Sequence, residues 1–257
     1  MHAIRSRPSR KTSGNSDPTG YTNDICLKVV EAVRKKLNLP ALDVKYVMMN
    51  STNRIPLIHN GTADLDCAST TNTVARQQQV DFAPSHFVAG ITAAVRKDSG
   101  IKSLADLKGK TVATVAGSTA VQLLRVYRKT EAIEVDELPG KDTVDAFLTF
   151  TTGRAAAVVL DDIQLAALIA NSRAPADYVL LKESLREEPY GIMYRKNDPQ
   201  FKELVDGTVA ALMKSGEIDK IYAKWFLQPI QPGNVNLNFP MTEAIRNNFK
   251  NPNSRGV

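Results

Sequence analysis

"TADLDCASTTNTVARQ", residues 62–77, is the stretch on which the reading of this chain turns. An apolar-alternating run reaches Ala68, then Ser69, Thr70, Thr71, Asn72 and Thr73 supply hydroxyl and amide groups, and a single arginine stands at 76. The pattern predicts a strand ending in a loop that opens a short helix, where uncommitted main-chain N–H groups and the helix dipole favour an anion. Hydroxyls add short neutral donors there, and Arg76 can offer two parallel N–H bonds to one carboxylate. The competing reading is an ordinary capping segment followed by a solvated arginine, since Ser, Thr and Asn are common caps.

Recurrence favours the first reading. "VAGST" (115–119) again places hydroxyls, here Ser118 and Thr119, between a buried strand and a helix, and "NSTNR" (50–54) sets Ser51 at a helix start with Arg54 one turn on. Three such loops around one cleft would hold a ligand with more than one anionic group. Opposite charge comes from Asp161 and Asp162, at the end of the apolar run "AAAVVL". A carboxylate there would meet an ammonium group, or else cap the helix beginning "IQLAALIA".

The surrounding pattern alternates helix and strand, which predicts parallel pairing with crossovers. "YTNDICLKVVEAVRKKLNLP" reads as an amphipathic helix capped by Thr22 or Asn23, "DVKYVMM" as a strand, and "NSTNRIPLIHNG" as a short helix with Ser51 as cap and Gly61 as stop. From "SLADLKGK" to "IQLAALIA" a second α/β unit has nearly continuous apolar strands, as expected where helices cover both faces. Two extended runs, at about 87–97 and 189–196, bracket that unit, and one helical tail follows. The predicted fold is α/β, two lobes with mixed, mostly parallel sheets joined by a two-stranded hinge. The divisions are an atypical, poorly ordered start over 1–18, a discontinuous first lobe of 19–92 plus 191–257, and a second lobe of 93–190.

Composition removes several classes. The formal charge is +6, but Arg5, Arg7, Arg10 and Lys11 carry much of it, and the other 29 basic residues nearly balance 27 acidic ones. Such a body lacks the basic face that nucleic acid requires. Histidines at 2, 59 and 86 lie apart, so no metal and no cofactor is expected. Cys26 and Cys67 read as buried thiols, with a bridge open to them in an oxidising compartment. No apolar run long enough to span a membrane occurs, and "MHAIRSRPSRKTSGNSDP" has no secretory apolar core.

From about Gly20 to Phe249 the chain resembles the periplasmic glutamate/aspartate-binding proteins of amino-acid ABC importers, within the type II solute-binding fold. The resemblance is densest in "NRIPLIHNGTADLDCASTTNTVARQ", "LADLKGKTVATVAGST", "LDD", "DPQFKELVD" and "KWFLQPIQPGNVNLNF". It implies that Arg76, Thr71 and Thr119 clasp an α-carboxylate, that Ser69 and Asp162 take the α-ammonium, and that Ser51 with Arg54 meets the side-chain carboxylate. It also implies a periplasmic monomer that delivers its amino acid to a membrane permease.

Two departures accompany the resemblance. The family opens with an apolar strand central to the first lobe and then a further arginine; here the start is polar and basic, and Ala3 falls near that arginine. Residues 1–18 are therefore expected to leave the first lobe without its central strand. Thr143 stands where family members carry a histidine, which makes it a ligand-side candidate. Competing functions are an enzyme on the same scaffold, such as a cyclohexadienyl dehydratase-like protein, and a sensory amino-acid-binding domain. Catalysis would need an acid or base in the cleft, while His59 and His86 are expected on a helix end and a loop.

Overall fold

The computed structural model describes residues 2–7 in main chain only, 18–231 and 233–257. Two sheets divide the molecule. The first orders its strands β2 (Asp43–Met48), β1 (His2–Arg7), β3 (Leu65–Asp66), β11 (Met193–Arg195), β4 (Val80–Phe82). The second orders β10 (Glu187–Tyr190), β5 (Phe87–Arg96), β8 (Ala157–Asp161), β6 (Lys110–Val115), β7 (Val135–Gly140), with β9 (Tyr178–Leu180) also on β5. Parallel pairing is found in the second sheet, where β6 runs with β7 and β8. In the first sheet β1 and β11 run against β2, β3 and β4, so each ladder pairing there is antiparallel.

The first lobe therefore has a central strand, which corrects the expectation drawn from its polar start. Residues 2–7 pair with β2 over their whole length, and Ala3 and Ile4 also pair with Asp66 and Leu65 of β3. The physical reason is that a ladder is built from main-chain groups: any extended segment satisfies the N–H and C=O groups flanking the slot, whatever its side chains. Residues 8–17, the rest of the segment expected to be atypical, lie outside the described residues.

Helices cover both sheets. In the first lobe α1 (Tyr21–Lys36), α7 (Pro199–Lys214), α8 (Glu217–Phe226) and α9 (Glu243–Lys250) build one core through Ile25, Val29, Val205, Val209, Ile221 and Ile245. A smaller cluster around Ile58 of α2 (Arg54–His59), Phe82 and Met193 fills the other face. In the second lobe, successive residues of β5 and β8 alternate between two cores. Ala93, Val95, Ala157 and Val159 pack with α4 (Thr119–Thr130), whereas Ala94, Val158 and Leu160 pack with α5 (Thr143–Thr151) and α6 (Asp162–Ala170). The apolar strands are thus buried on both faces.

The lobes are joined where β5 leaves and β10 returns, paired antiparallel over Phe87–Gly90 and Glu187–Tyr190. Phe87 stacks on Tyr190 with ring centroids 5.6 Å apart and on Tyr222 at 6.0 Å, which seats the hinge in the first core. Cys26 of α1 and Cys67, just past β3, are bridged, with Cα atoms 6.1 Å apart. That corrects the reading of two thiols: the sequence brings both residues into one core, and burial alone could not reveal that they face one another.

Candidate functional site

The site is built where β3 gives way to the short helix α3 (Val74–Gln77). The connecting main chain is sewn to the hinge: the Asn72 N–H donates to the Pro189 carbonyl at 2.7 Å, the Gly191 N–H to the Thr70 carbonyl at 3.1 Å, and Thr71 bridges Tyr190. Thr73 caps α3, its hydroxyl accepting from the Arg76 N–H. This anchoring turns the Arg76 guanidinium back over the loop, where Nη1 donates to the Thr71 carbonyl at 2.7 Å.

Arg76 is buried, only 8% exposed. Burial, and then the neighbouring Arg54, push its pKa down to about 10, against the pull of Glu188, Asp66 and Asp161. The guanidinium stays charged at neutral pH, held among carboxylates from both lobes. Across the junction, the Thr71 and Thr119 hydroxyls approach to 3.4 Å, and Gln164 of α6 donates to the Ser69 hydroxyl at 2.7 Å. Gly117 lies against Ser51 and Thr52: a Cβ there would sit 3.0 Å from the Thr52 methyl and 3.2 Å from the Ser51 carbonyl, and its φ of +73° also favours glycine. Ser69, Thr71, Arg76, Thr119 and Ser51 are therefore gathered at one interlobe seam.

Other expected residues are placed differently. Arg54 is buried, and its Nη1 donates to the Thr70 hydroxyl, which in turn donates to Asp66. Burial raises the pKa of Asp66, with Arg54 and Thr70 opposing. Ser51 does not cap α2; Asn53 occupies that position, and the turn before it is held by the Asn50 carboxamide, which accepts from the Thr52 and Asn53 N–H groups. Thr143, the first residue of α5, lines a groove of about 930 Å³ between α5 and α6 with Phe147, Leu168 and Asn171, a groove that Gln164 of the seam also lines.

The aspartates separate into two roles. Asp162 is half-buried and already engaged: its carboxylate accepts from the Ile163 N–H at 2.6 Å and from the Gly90 N–H in the hinge. Asp161 is 7% exposed, and its Oδ1 has no hydrogen-bond partner among the described residues. Burial, reinforced by Glu188 and Asp162 and opposed by Tyr190, raises its pKa to about 7. Of the pair, Asp161 is the one that shares the Arg76 environment.

Glu188 was not anticipated. It is fully buried in β10, accepts from the Thr119 hydroxyl, and accepts from Arg186 Nε at 3.0 Å. The signal was available: in an extended run, period-two alternation puts residue 188 on the same buried side as Tyr190. His86 is also buried, at the entry to β5, where burial holds its pKa near 3 and its Nε2 lies 3.1 Å from the Thr22 hydroxyl. His59 ends α2. No metal-holding group of His, Cys, Asp and Glu occurs among the described residues.

Beside the charged seam is a cavity of about 370 Å³, lined from the first lobe by Thr22, Asn23 and Ser69, from the hinge by Phe87 and Tyr190, and from α6 by Ile163 and Gln164. Two lobes on a two-stranded hinge, with an arginine and hydroxyl cradle at their seam, define a solute-binding protein of the periplasmic-binding type. The chain belongs to the bacterial extracellular solute-binding proteins, family 3, whose model matches residues 3–228. That match includes β1 and begins well before Gly20. The chain is 43% identical to the L-glutamate/L-aspartate-binding protein of Pseudomonas aeruginosa over 93% of its length and 80% of that protein. It is 40% identical to the glutamate/aspartate import solute-binding protein of Escherichia coli K12, over 100% of this chain and 85% of that one. Among solved structures, the P235GK mutant of the T. maritima protein ArgBP superposes with a TM-score of 0.68 at 32% identity, covering 80% of this chain and 85% of that one.

Proposed function

We propose that this protein captures an acidic L-amino acid, glutamate or aspartate, between its two lobes and presents it to the membrane permease of an ABC importer. The carrying observation is the buried Arg76, held over the Thr71 carbonyl at the interlobe seam of a chain that is 43% identical to a glutamate/aspartate binder. Arg76 pairs with the ligand α-carboxylate, helped by Thr71 and by main-chain N–H groups at the start of α4. Because the Thr119 hydroxyl donates to Glu188, its oxygen is left as an acceptor. Asp161, with its uncommitted carboxylate oxygen, and Ser69 take the α-ammonium. Ser51 and Arg54 stand for the side-chain carboxylate, and Thr143 borders the outer groove. Closing the lobes excludes water and strengthens each of these contacts.

Binding without turnover is the function that fits: His86 is fully buried and does not line the interlobe cavity, and Glu188 is committed to Thr119 and Arg186. The Cys26–Cys67 bridge supports an oxidising location, the periplasm. The protein is taken to act as a monomer. Calorimetric titration with glutamate, aspartate, glutamine and asparagine tests the reading, with each mixture assayed afterwards for chemical change. Micromolar or tighter heats for the acidic pair, at least about tenfold stronger than for the amides, are expected. Turnover, or a preference for the amides, would overturn it.

A further inference from the structure

Beyond α9 the chain leaves the first core, where Ile245 and Phe249 anchor it, and runs back along the hinge entry to the cradle. The Asn253 carbonyl accepts from the Ser85 N–H at 2.9 Å, just ahead of β5. The Ser254 carbonyl accepts from the side-chain amides of both Asn72 and Gln77, each at 2.9 Å. Val257 then makes a reciprocal main-chain pair, its N–H donating to the Asn72 carbonyl and its carbonyl accepting from the Val74 N–H, both at 3.1 Å.

The cradle is therefore held on two edges. On one, Asn72 is bonded to Pro189 of the hinge strand; on the other it is bonded to Val257. Asn72 is fully buried between Thr71 and Thr73, the residues that receive the Arg76 guanidinium and cap its helix. Gly256 permits the close approach: a Cβ there would lie 2.8 Å from the Val74 nitrogen and 2.9 Å from the Thr73 carbonyl carbon. Both are main-chain atoms that cannot turn aside.

We propose that residues 253–257 are a strap that holds the Thr71–Arg76 cradle in its binding geometry and ties it to the hinge, so that affinity depends on residues that do not touch the ligand. This rests on the reading of that loop as the carboxylate cradle. The strap meets the cradle through its main chain, and the Asn253 carboxamide, which accepts from the Arg255 N–H and donates to the Asn251 carbonyl, fixes its path.

The test compares the full chain with its Gly256→Ala and Arg255→Ala variants. Hydrogen exchange over residues 69–79 is measured without ligand, and calorimetry is done with L-glutamate. Gly256→Ala is expected to speed exchange at Val74, whose N–H donates to the Val257 carbonyl, about tenfold and to weaken glutamate binding by a similar factor, the worth of roughly one net hydrogen bond. Arg255→Ala, whose exposed side chain leaves the main-chain bonds in place, is expected to match the parent in both. Unchanged exchange over 69–79 in Gly256→Ala would overturn the strap, as would faster exchange with unaltered affinity. If the parent chain binds no amino acid, the functional reading fails, and the exchange comparison still decides whether the strap holds the loop.

Discussion

In the proposed reading Arg76 and Asp161 meet opposite charges of one ligand, and their neighbours show how far residue types alone could reveal the arrangement. That Ser69, Thr71, Thr73 and Arg76 share one loop was legible because they are contiguous at a strand end. The resemblance implies Asp162 for the ammonium, and residue type could not weigh it against Asp161, since either can begin a helix; the bonds from the Gly90 and Ile163 N–H groups engage Asp162, which favours Asp161 in the proposed reading. Asp161→Asn is expected to weaken glutamate binding about tenfold to a hundredfold, the range for losing a charged hydrogen bond, with Asp162→Asn nearer the parent; calorimetry reads both. The pKa of Asp161, raised to about 7, carries a pH signature. Between about pH 4 and 7 the folded protein keeps a proton that the unfolded chain has lost, so this group's contribution to stability falls as pH rises through that window. An ammonium ligand favours the ionised carboxylate, so affinity rises across the same window. Denaturation and titration at pH 5, 6, 7 and 8 are expected to show both slopes, each flattened in Asp161→Asn.

Among the elements, those with long periodic patterns were readable: α1 falls over the amphipathic run and β6 and β8 over the apolar ones. Short elements were not. The strand expected across residues 62–69 reduces to Leu65–Asp66, and the single helical tail breaks at Gly216, whose φ of +73° no helix interior adopts. β1 was missed because its place is fixed by main-chain pairing on both sides rather than by an apolar pattern. Ile4→Pro removes a ladder N–H from that central strand and is expected to cost about 3 kcal/mol or more in chemical denaturation, with no such loss if β1 does not carry the sheet. The Cys26–Cys67 bridge closes a loop across 41 positions, for which loop-closure entropy gives about 4 kcal/mol. Replacing both cysteines with alanine is expected to lower unfolding free energy by about that amount, and an equal melt under reducing and oxidising conditions would contradict it.

For the whole molecule, the two-lobe plan followed from where the extended runs stood in the chain, and the hinge pairing of β5 with β10 is its structural expression. What the sequence could not give was convergence across the seam. The contacts of Thr71 with Thr119, of Gln164 with Ser69 and of Gly117 with Ser51 join positions from about 50 to 95 residues apart, and no local pattern encodes them. The most direct measurement of the central claim is calorimetry of L-glutamate on the parent and on Arg76→Ala, each confirmed folded by its melt. The account predicts a micromolar or tighter heat for the parent and a loss of several kcal/mol in binding free energy, to no detectable heat, for the variant; an Arg76→Ala protein that bound glutamate as the parent does would contradict it.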